Sequence, residues 1–213
     1  MGRNPDLEKK LQIEKTARKL FRQKGFAGTS YQQIAEEMGM EKTNVQRHFP
    51  RKELFVEHFF QDLLDAIARY YKEKDLAEKE YLCNLYQIGT IYFSFLLSPD
   101  MQKFTTDVLS DRRLTEVMIQ KDMQWAAAYL TAFSLKEPAD FRGDVALVMG
   151  GTYELLYQHL TGNITTDPQA LMAQAILLFA YTLQAPAPDL TELFVSQSFI
   201  DEAVAYLEKQ LNS

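Results

Sequence analysis

Apolar residues recur at intervals of three and four along the whole chain, and no segment sustains the alternation of every second residue that a half-buried strand needs. Leu7, Leu11, Ile13, Ala17, Leu20 and Phe21 make one such stripe, and Leu54, Phe55, Phe59, Leu63, Leu64, Ile67 and Tyr71 a second. Val145, Val148, Met149, Thr152, Leu155, Leu156 and Leu160 make a third. The period predicts an all-α protein. Prolines and glycines punctuate it: Asn4-Pro5-Asp6, Ser98-Pro99-Asp100 and Asp167-Pro168-Gln169 each set a capping side chain before a proline at the first helical position. Gly25 and Gly162 stand where helix ends favour a left-handed residue. These signals predict helices at about 5–24, 30–38, 42–49, 51–73, 76–97, 99–109, 111–134, 139–161, 167–184 and 190–211. The last follows a short linker, APAPD, at 185–189.

Charge divides the chain. Residues 1–55 hold twelve Lys/Arg against seven Asp/Glu, whereas residues 56–213 hold eleven against twenty-two. A basic N-terminal quarter on an acidic body predicts an anionic partner at that end alone, nucleic acid first and a membrane surface second. The same boundary divides the chain into a domain at 1–55 and a second at 56–213. No apolar stretch approaches the roughly 18–20 residues that span a bilayer, and no apolar segment follows the charged N-terminus as a secretory signal requires. The single cysteine, Cys83, builds no disulfide framework. A cytoplasmic protein with no membrane association is expected.

The short segment GMEKTNVQRHF at 39–49 is dense in hydrogen-bonding side chains. Gly39 lies between two short predicted helices, as in a helix-turn-helix. Thr29 or Ser30 can cap the first, with Gln32 or Gln33 reaching back. Ile34, Ala35 and Met38 face the preceding helix. On a wheel of the second, Val45 and Phe49 fall together and point inward. Thr43, Asn44 and Arg47 lie opposite, flanked by Lys42, Gln46 and His48. Arg pairs with guanine edges and Asn or Gln with adenine edges, and a helix of this size enters the major groove. The segment therefore reads as a recognition helix. Arg51 and Lys52 then open the next helix, where a phosphate is favoured.

The run TARKLFRQKGFAGTSYQQIAEEMGMEKTNVQRHFPRKELF resembles the N-terminal DNA-binding domain of TetR-family transcriptional regulators, over roughly residues 9–56. The resemblance implies a three-helix helix-turn-helix domain followed by a helical ligand-binding and dimerisation domain. It also implies a homodimer and operator binding relieved by a small molecule. Carried over by position, it implies base or backbone contacts from Lys42, Thr43, Asn44, Gln46, Arg47 and His48, and phosphate contacts from Thr29 and Lys52. Two positions depart from the family: Gln46 stands where many members have Tyr, and Glu41 where many have Ser.

In the body, helices at about 139–161 and 167–184 occupy the place of the family's dimer interface, and Gly150-Gly151 permits close approach there or a kink within one subunit. Tyr86, Trp125, Tyr129 and Tyr153 pair aromatic bulk with a polar handle, and are the candidates to orient an apolar or aromatic effector of unknown identity. Enzyme chemistry is not expected. His48, His58 and His159 are widely separated, no metal-ligand spacing or phosphate loop occurs, and no cofactor is implied. His159 reads as a satisfied helix-end histidine and Cys83 as core. The expected function is a ligand-released repressor on a palindromic operator. The alternatives are a helical lipid or small-molecule binder without operator binding, an all-helical enzyme, or a structural DNA binder.

Overall fold

A computed structural model describes residues 5–76, 81–132, 141–189 and 193–212. Among these residues the chain forms ten α-helices and no strand, in the order α1 (Pro5–Lys24), α2 (Tyr31–Glu37), α3 (Lys42–His48), α4 (Glu53–Lys74), α5 (Tyr81–Leu96), α6 (Gln102–Ser110), α7 (Arg112–Ala132), α8 (Phe141–Leu160), α9 (Pro168–Thr182) and α10 (Gln197–Asn212). None of them is long and apolar enough to cross a membrane.

The head is α1–α3 closed against the start of α4. Ile13, Ala17, Leu20 and Phe21 of α1 meet Ile34 and Ala35 of α2, Val45 of α3, Phe49 and Phe55, all buried. Phe49 stacks on Phe55 with ring centroids 4.1 Å apart. Burying one such side chain favours the fold by about 1.5–3 kcal/mol, and this anchoring lets a seven-residue helix persist that would not survive alone. The other end of α1 is less embedded: Leu7 and Leu11, expected in the buried stripe, are exposed, because among the described residues no helix covers that face of the first two turns.

The body packs α5 against α9, α8 against α9, and α7 against α4, α6 and α8, with α10 laid along α4 and α5. Helix α4 runs unbroken from the head core at Phe55 to the body core at Leu63, Ala66, Ile67 and Tyr70. Helix α6 is a second bridge, since Phe104 stacks on Phe21 of α1 at 5.6 Å.

Local signals explain most boundaries. Ser30 accepts from the Gln33 amide while the Gln33 side chain accepts from the Ser30 amide, a complete capping box. Asp167 caps α9 by accepting from Ala170 N at 2.9 Å, with Pro168 at the first helical position. Gly25, Gly39 and Gly162 all take positive φ. The Asn4-Pro5 cap falls outside the described residues. Two expectations are corrected. Ser98 does not cap α6; its carbonyl accepts from Met101 N at 2.8 Å and Gln102 N at 3.1 Å, so Pro99-Asp100 form a turn and the helix begins at Gln102. The last helix begins at Gln197 rather than near 190, because Leu193–Ser196 stay non-helical while the Gln169 side chain holds Val195 through both backbone groups.

Candidate nucleic-acid interface and body cavity

The turn between α2 and α3 is built by backbone bonds. Met40 N donates to Ala35 O at 2.9 Å and Gly39 N to Glu36 O at 3.1 Å, closing α2 with Gly39 at φ +61. Helix α3 then starts at Glu41 without a side-chain cap; the Glu41 carboxylate instead accepts from the Thr43 hydroxyl at 3.4 Å. Tyr31 fixes the far end, donating from its hydroxyl to Phe49 O at 2.8 Å. Val45 and Phe49 are fully buried, as the wheel required. Lys42, Thr43, Gln46 and Arg47 are exposed and Asn44 is half-exposed, so one short helix presents cation, hydroxyl and amide groups on its outer side.

Three expected contact residues lie elsewhere or are shared. Thr29 is 1% exposed and its hydroxyl donates to Gly25 O at 2.8 Å, so it shapes the α1–α2 loop and its side chain is withdrawn from any surface phosphate. The His48 side chain is only 5% exposed, with Nε2 3.7 Å from the Asp6 carboxylate of α1, so it turns back rather than outward. Lys52 is half-buried: its ammonium lies 4.0 Å from the centre of the Phe26 ring and donates to the Phe26 carbonyl. Burial lowers its pKa from the ordinary lysine value, against the opposing pull of Asp107 and Glu53. An ammonium carries three donors, so Lys52 can hold the loop and still face a phosphate. Arg51 is exposed and 3.5 Å from Glu57.

One residue that sequence reasoning missed holds this head to the body. Asp107 of α6 accepts from Ala27 N at 2.9 Å, and a Cβ on Gly25 would collide with the Asp107 carboxylate. Gly25 at φ +78 is thus required twice, by its left-handed backbone and by the carboxylate against it. No local pattern marks Asp107, because the contact spans eighty residues.

The body encloses a cavity of about 80 Å³ between α4, α5, α7, α8 and α9. Its wall is apolar and aromatic, with Leu85, Tyr92, Phe93, Trp125, Met149 and Phe179 among the lining residues. Of the four aromatic candidates, Trp125 lines it, and Tyr129 stacks on Trp125 at 4.9 Å. Tyr153 reaches it indirectly, donating to the Asp122 carboxylate, which is in the wall. Tyr86 points to the other side of α5, donating to Gln169 at 3.2 Å. Asp122 is the second residue missed. It shares its helical phase with Leu114 and Met118, both buried, so a carboxylate on an apolar stripe was the available signal. Burial pushes its pKa up to about 7, partly offset by the Tyr153 hydrogen bond. Tyr92 and Tyr153 share a hydrogen bond of 2.8 Å, and burial holds both phenols well above their ordinary range.

Elsewhere chemistry is sparse. His159 accepts from Thr166 N at 3.1 Å, as a satisfied helix-end histidine. Cys83 is partly buried against the core. Among the described residues no cluster of three metal-ligating side chains occurs.

Residues 13–59 match the family described as bacterial regulatory proteins, tetR family. Among solved structures, the chain is similar to a putative TetR-family transcriptional regulator from Mesorhizobium loti, with 17% identity, 98% of each chain covered and a TM-score of 0.47. It is also similar to the TetR family transcriptional regulator PfmR from Thermus thermophilus, with 19% identity, 81% of this chain and 97% of that one covered, and a TM-score of 0.34. No curated protein matches.

Proposed function

We propose that the chain is a TetR-family DNA-binding transcriptional regulator, on the match of residues 13–59 to that family, and that it works as a homodimeric repressor released from a palindromic operator by a small effector. The head, residues 1–55, reads DNA. Arg47, Asn44, Gln46, Thr43 and Lys42 face base edges in the major groove, and Lys52 with Arg51 faces phosphate. Thr29 and His48 act one step back, holding the loop and the helix that carry those groups. The observation that carries this reading is the two-sidedness of α3: Val45 and Phe49 are fully buried behind an outer side made of donors and acceptors.

The body, residues 56–213, dimerises and senses. Helices α8 and α9 carry Leu147, Leu177, Leu178 and Tyr181 exposed, Tyr181 at 81%, an apolar face that a second copy would cover. Gly150 and Gly151 meet nothing within 4 Å in one subunit, which leaves room for a partner helix. The heads of the dimer then sit about 34–36 Å apart, one turn of duplex. An effector in the body cavity favours a state with different head spacing, through α4 and through the grip of Asp107 and Phe104 on the head. Selecting bound fragments from genomic DNA tests the DNA-binding part: an inverted-repeat motif is expected, and binding without sequence preference would contradict it. Spin-label distances between the α3 helices, with and without an effector found by screening, test the release mechanism. Unchanged spacing would contradict it.

A further inference from the structure

Helix α10 lies along α4, where Tyr70 of α4 meets Phe199 and Tyr206 of α10 with ring centroids 6.0 and 5.1 Å apart. It also packs on α1, the first helix of the head. That second contact is polar. The Arg18 guanidinium of α1 donates through Nη2 to the Asp62 carboxylate of α4 and through Nη1 to the Leu211 carbonyl of α10, the latter at 3.4 Å. Carbonyls in the last turn of a helix lack a partner within it and carry the negative end of its dipole. A guanidinium suits this place, because its planar fork offers donors in two directions at once. One turn on, Arg22 is half-buried, its guanidinium carbon 5.9 Å from the centre of the Phe95 ring of α5. Burial lowers its pKa, against the opposing pull of Glu208 on α10 and Asp100 ahead of α6. Two cations of the basic head thus turn toward the acidic body, and the Arg18 side chain is only 12% exposed. Such a part-buried pair adds little stability, since apolar side chains of like volume do as well. What the fork adds is direction: it fixes α1, α4 and α10 against one another.

We propose that Arg18 is a positioning residue for DNA reading, and that α10 is a strut that fixes, through it, the orientation of the head on the body. The inference rests on reading the protein as a two-headed DNA binder, and it adds what sets the separation of the heads. The fold of each head comes from the apolar core behind α3, so loosening the strut leaves that core in place. A dimer whose heads are held at one separation binds half-sites at that separation. Heads freed from the strut sample several separations. Only a fraction of the molecules is then ready for any one duplex, and affinity falls by that fraction.

The probes are duplexes built from the half-site that the full-length wild type selects from a random pool. One duplex carries a single half-site; the others carry an inverted pair with the spacer shortened or lengthened in single base-pair steps. Binding is read by fluorescence anisotropy. The wild type is expected to favour one spacer sharply. Arg18→Met keeps the hydrocarbon stem and removes both bonds. It should lose about tenfold on the favoured spacer, bind the other spacers almost as well, and match the wild type on the single half-site, with an unchanged salt slope. Arg18→Lys keeps a charge beside Asp62 but cannot serve both partners in fork geometry, so its spacer preference should fall between the two; it carries the test if Arg18→Met does not fold. A spacer preference as sharp in the variants as in the wild type overturns the proposal. So does an equal loss on single and paired half-sites with a lower salt slope, which would make Arg18 a phosphate contact. A wild type that selects no motif, or that shows no spacer preference, contradicts the two-headed reading itself and this inference with it, so the two readings fail on different results.

Discussion

The polar groups buried around the head and the one acid buried in the body differ in what they bond to. Around the head, four polar side chains reach backbone groups, Thr29 on Gly25, Tyr31 on Phe49, Lys52 on Phe26 and Asp107 of α6 on the Ala27 amide, while the buried Glu14 pairs with the His58 ring. The outer side of α3 is then free to face a ligand as large as a duplex. In the body, the buried Thr105 and Thr152 also donate to backbone carbonyls, but the buried Asp122 carboxylate accepts from another side chain, the Tyr153 hydroxyl. The polar groups around the head fix its geometry and leave the outer side of α3 exposed, whereas the acid of the body is buried behind two phenols.

The contrast breaks first at Phe49. Phe49→Ala removes the stacked anchor behind α3 and should destabilise the protein by about 3–5 kcal/mol, read by denaturant unfolding. A change below about 1 kcal/mol would mean that α3 is not held from behind.

Asp122→Asn should act in the other direction. The folded state raises this pKa from 3.8 to about 7, so it binds the proton more tightly than the unfolded chain. The contribution is full below about pH 4 and is lost as pH rises to 7. By about 1.36 kcal/mol per unit, the ionised acid destabilises the fold by on the order of 4 kcal/mol at pH 8. Asp122→Asn should therefore raise the melting temperature at pH 8 and leave it nearly unchanged at pH 4. A head polar group replaced in the same way, Thr29→Val, should lower stability at both pH values. If both variants behave alike, the distinction between the regions fails.

Base and phosphate roles sharpen the picture of the head. Arg47→Ala should cost about 1–3 kcal/mol on the operator and relax base preference. Lys52→Ala should weaken every sequence and lower the salt slope by about one. Ser30→Ala, which breaks the capping box of α2, should lower stability by about 1 kcal/mol, the smallest of these effects.

How much of this was legible depended on range. The ten helices, the capping box at Ser30 and Gln33, the glycine turn at Gly39 and the inward pair Val45 and Phe49 all follow from spacings of a few residues. What failed was settled at a distance. Ser98-Pro99 has every local feature of a cap, yet the chain turns once more before α6 begins. The wheel sets His48 on a flank of α3 and the resemblance implies a phosphate contact from Thr29; neither shows the α1 carboxylate and the loop carbonyl beside these side chains. Asp107 carries no local signal and Asp122 only that of a carboxylate on an apolar stripe, and their partners come from the packing of α6 on the head and of α7 on α8.

The central claim is that the outer side of α3 reads base pairs in a two-fold dimer. Selection from a random duplex pool, run in parallel on the wild type and Arg47→Ala, tests it most directly. An inverted-repeat motif is expected for the wild type, and the loss of preference at one position in each half-site for the variant. An identical motif from both proteins, or a wild-type motif with no internal symmetry, would contradict it.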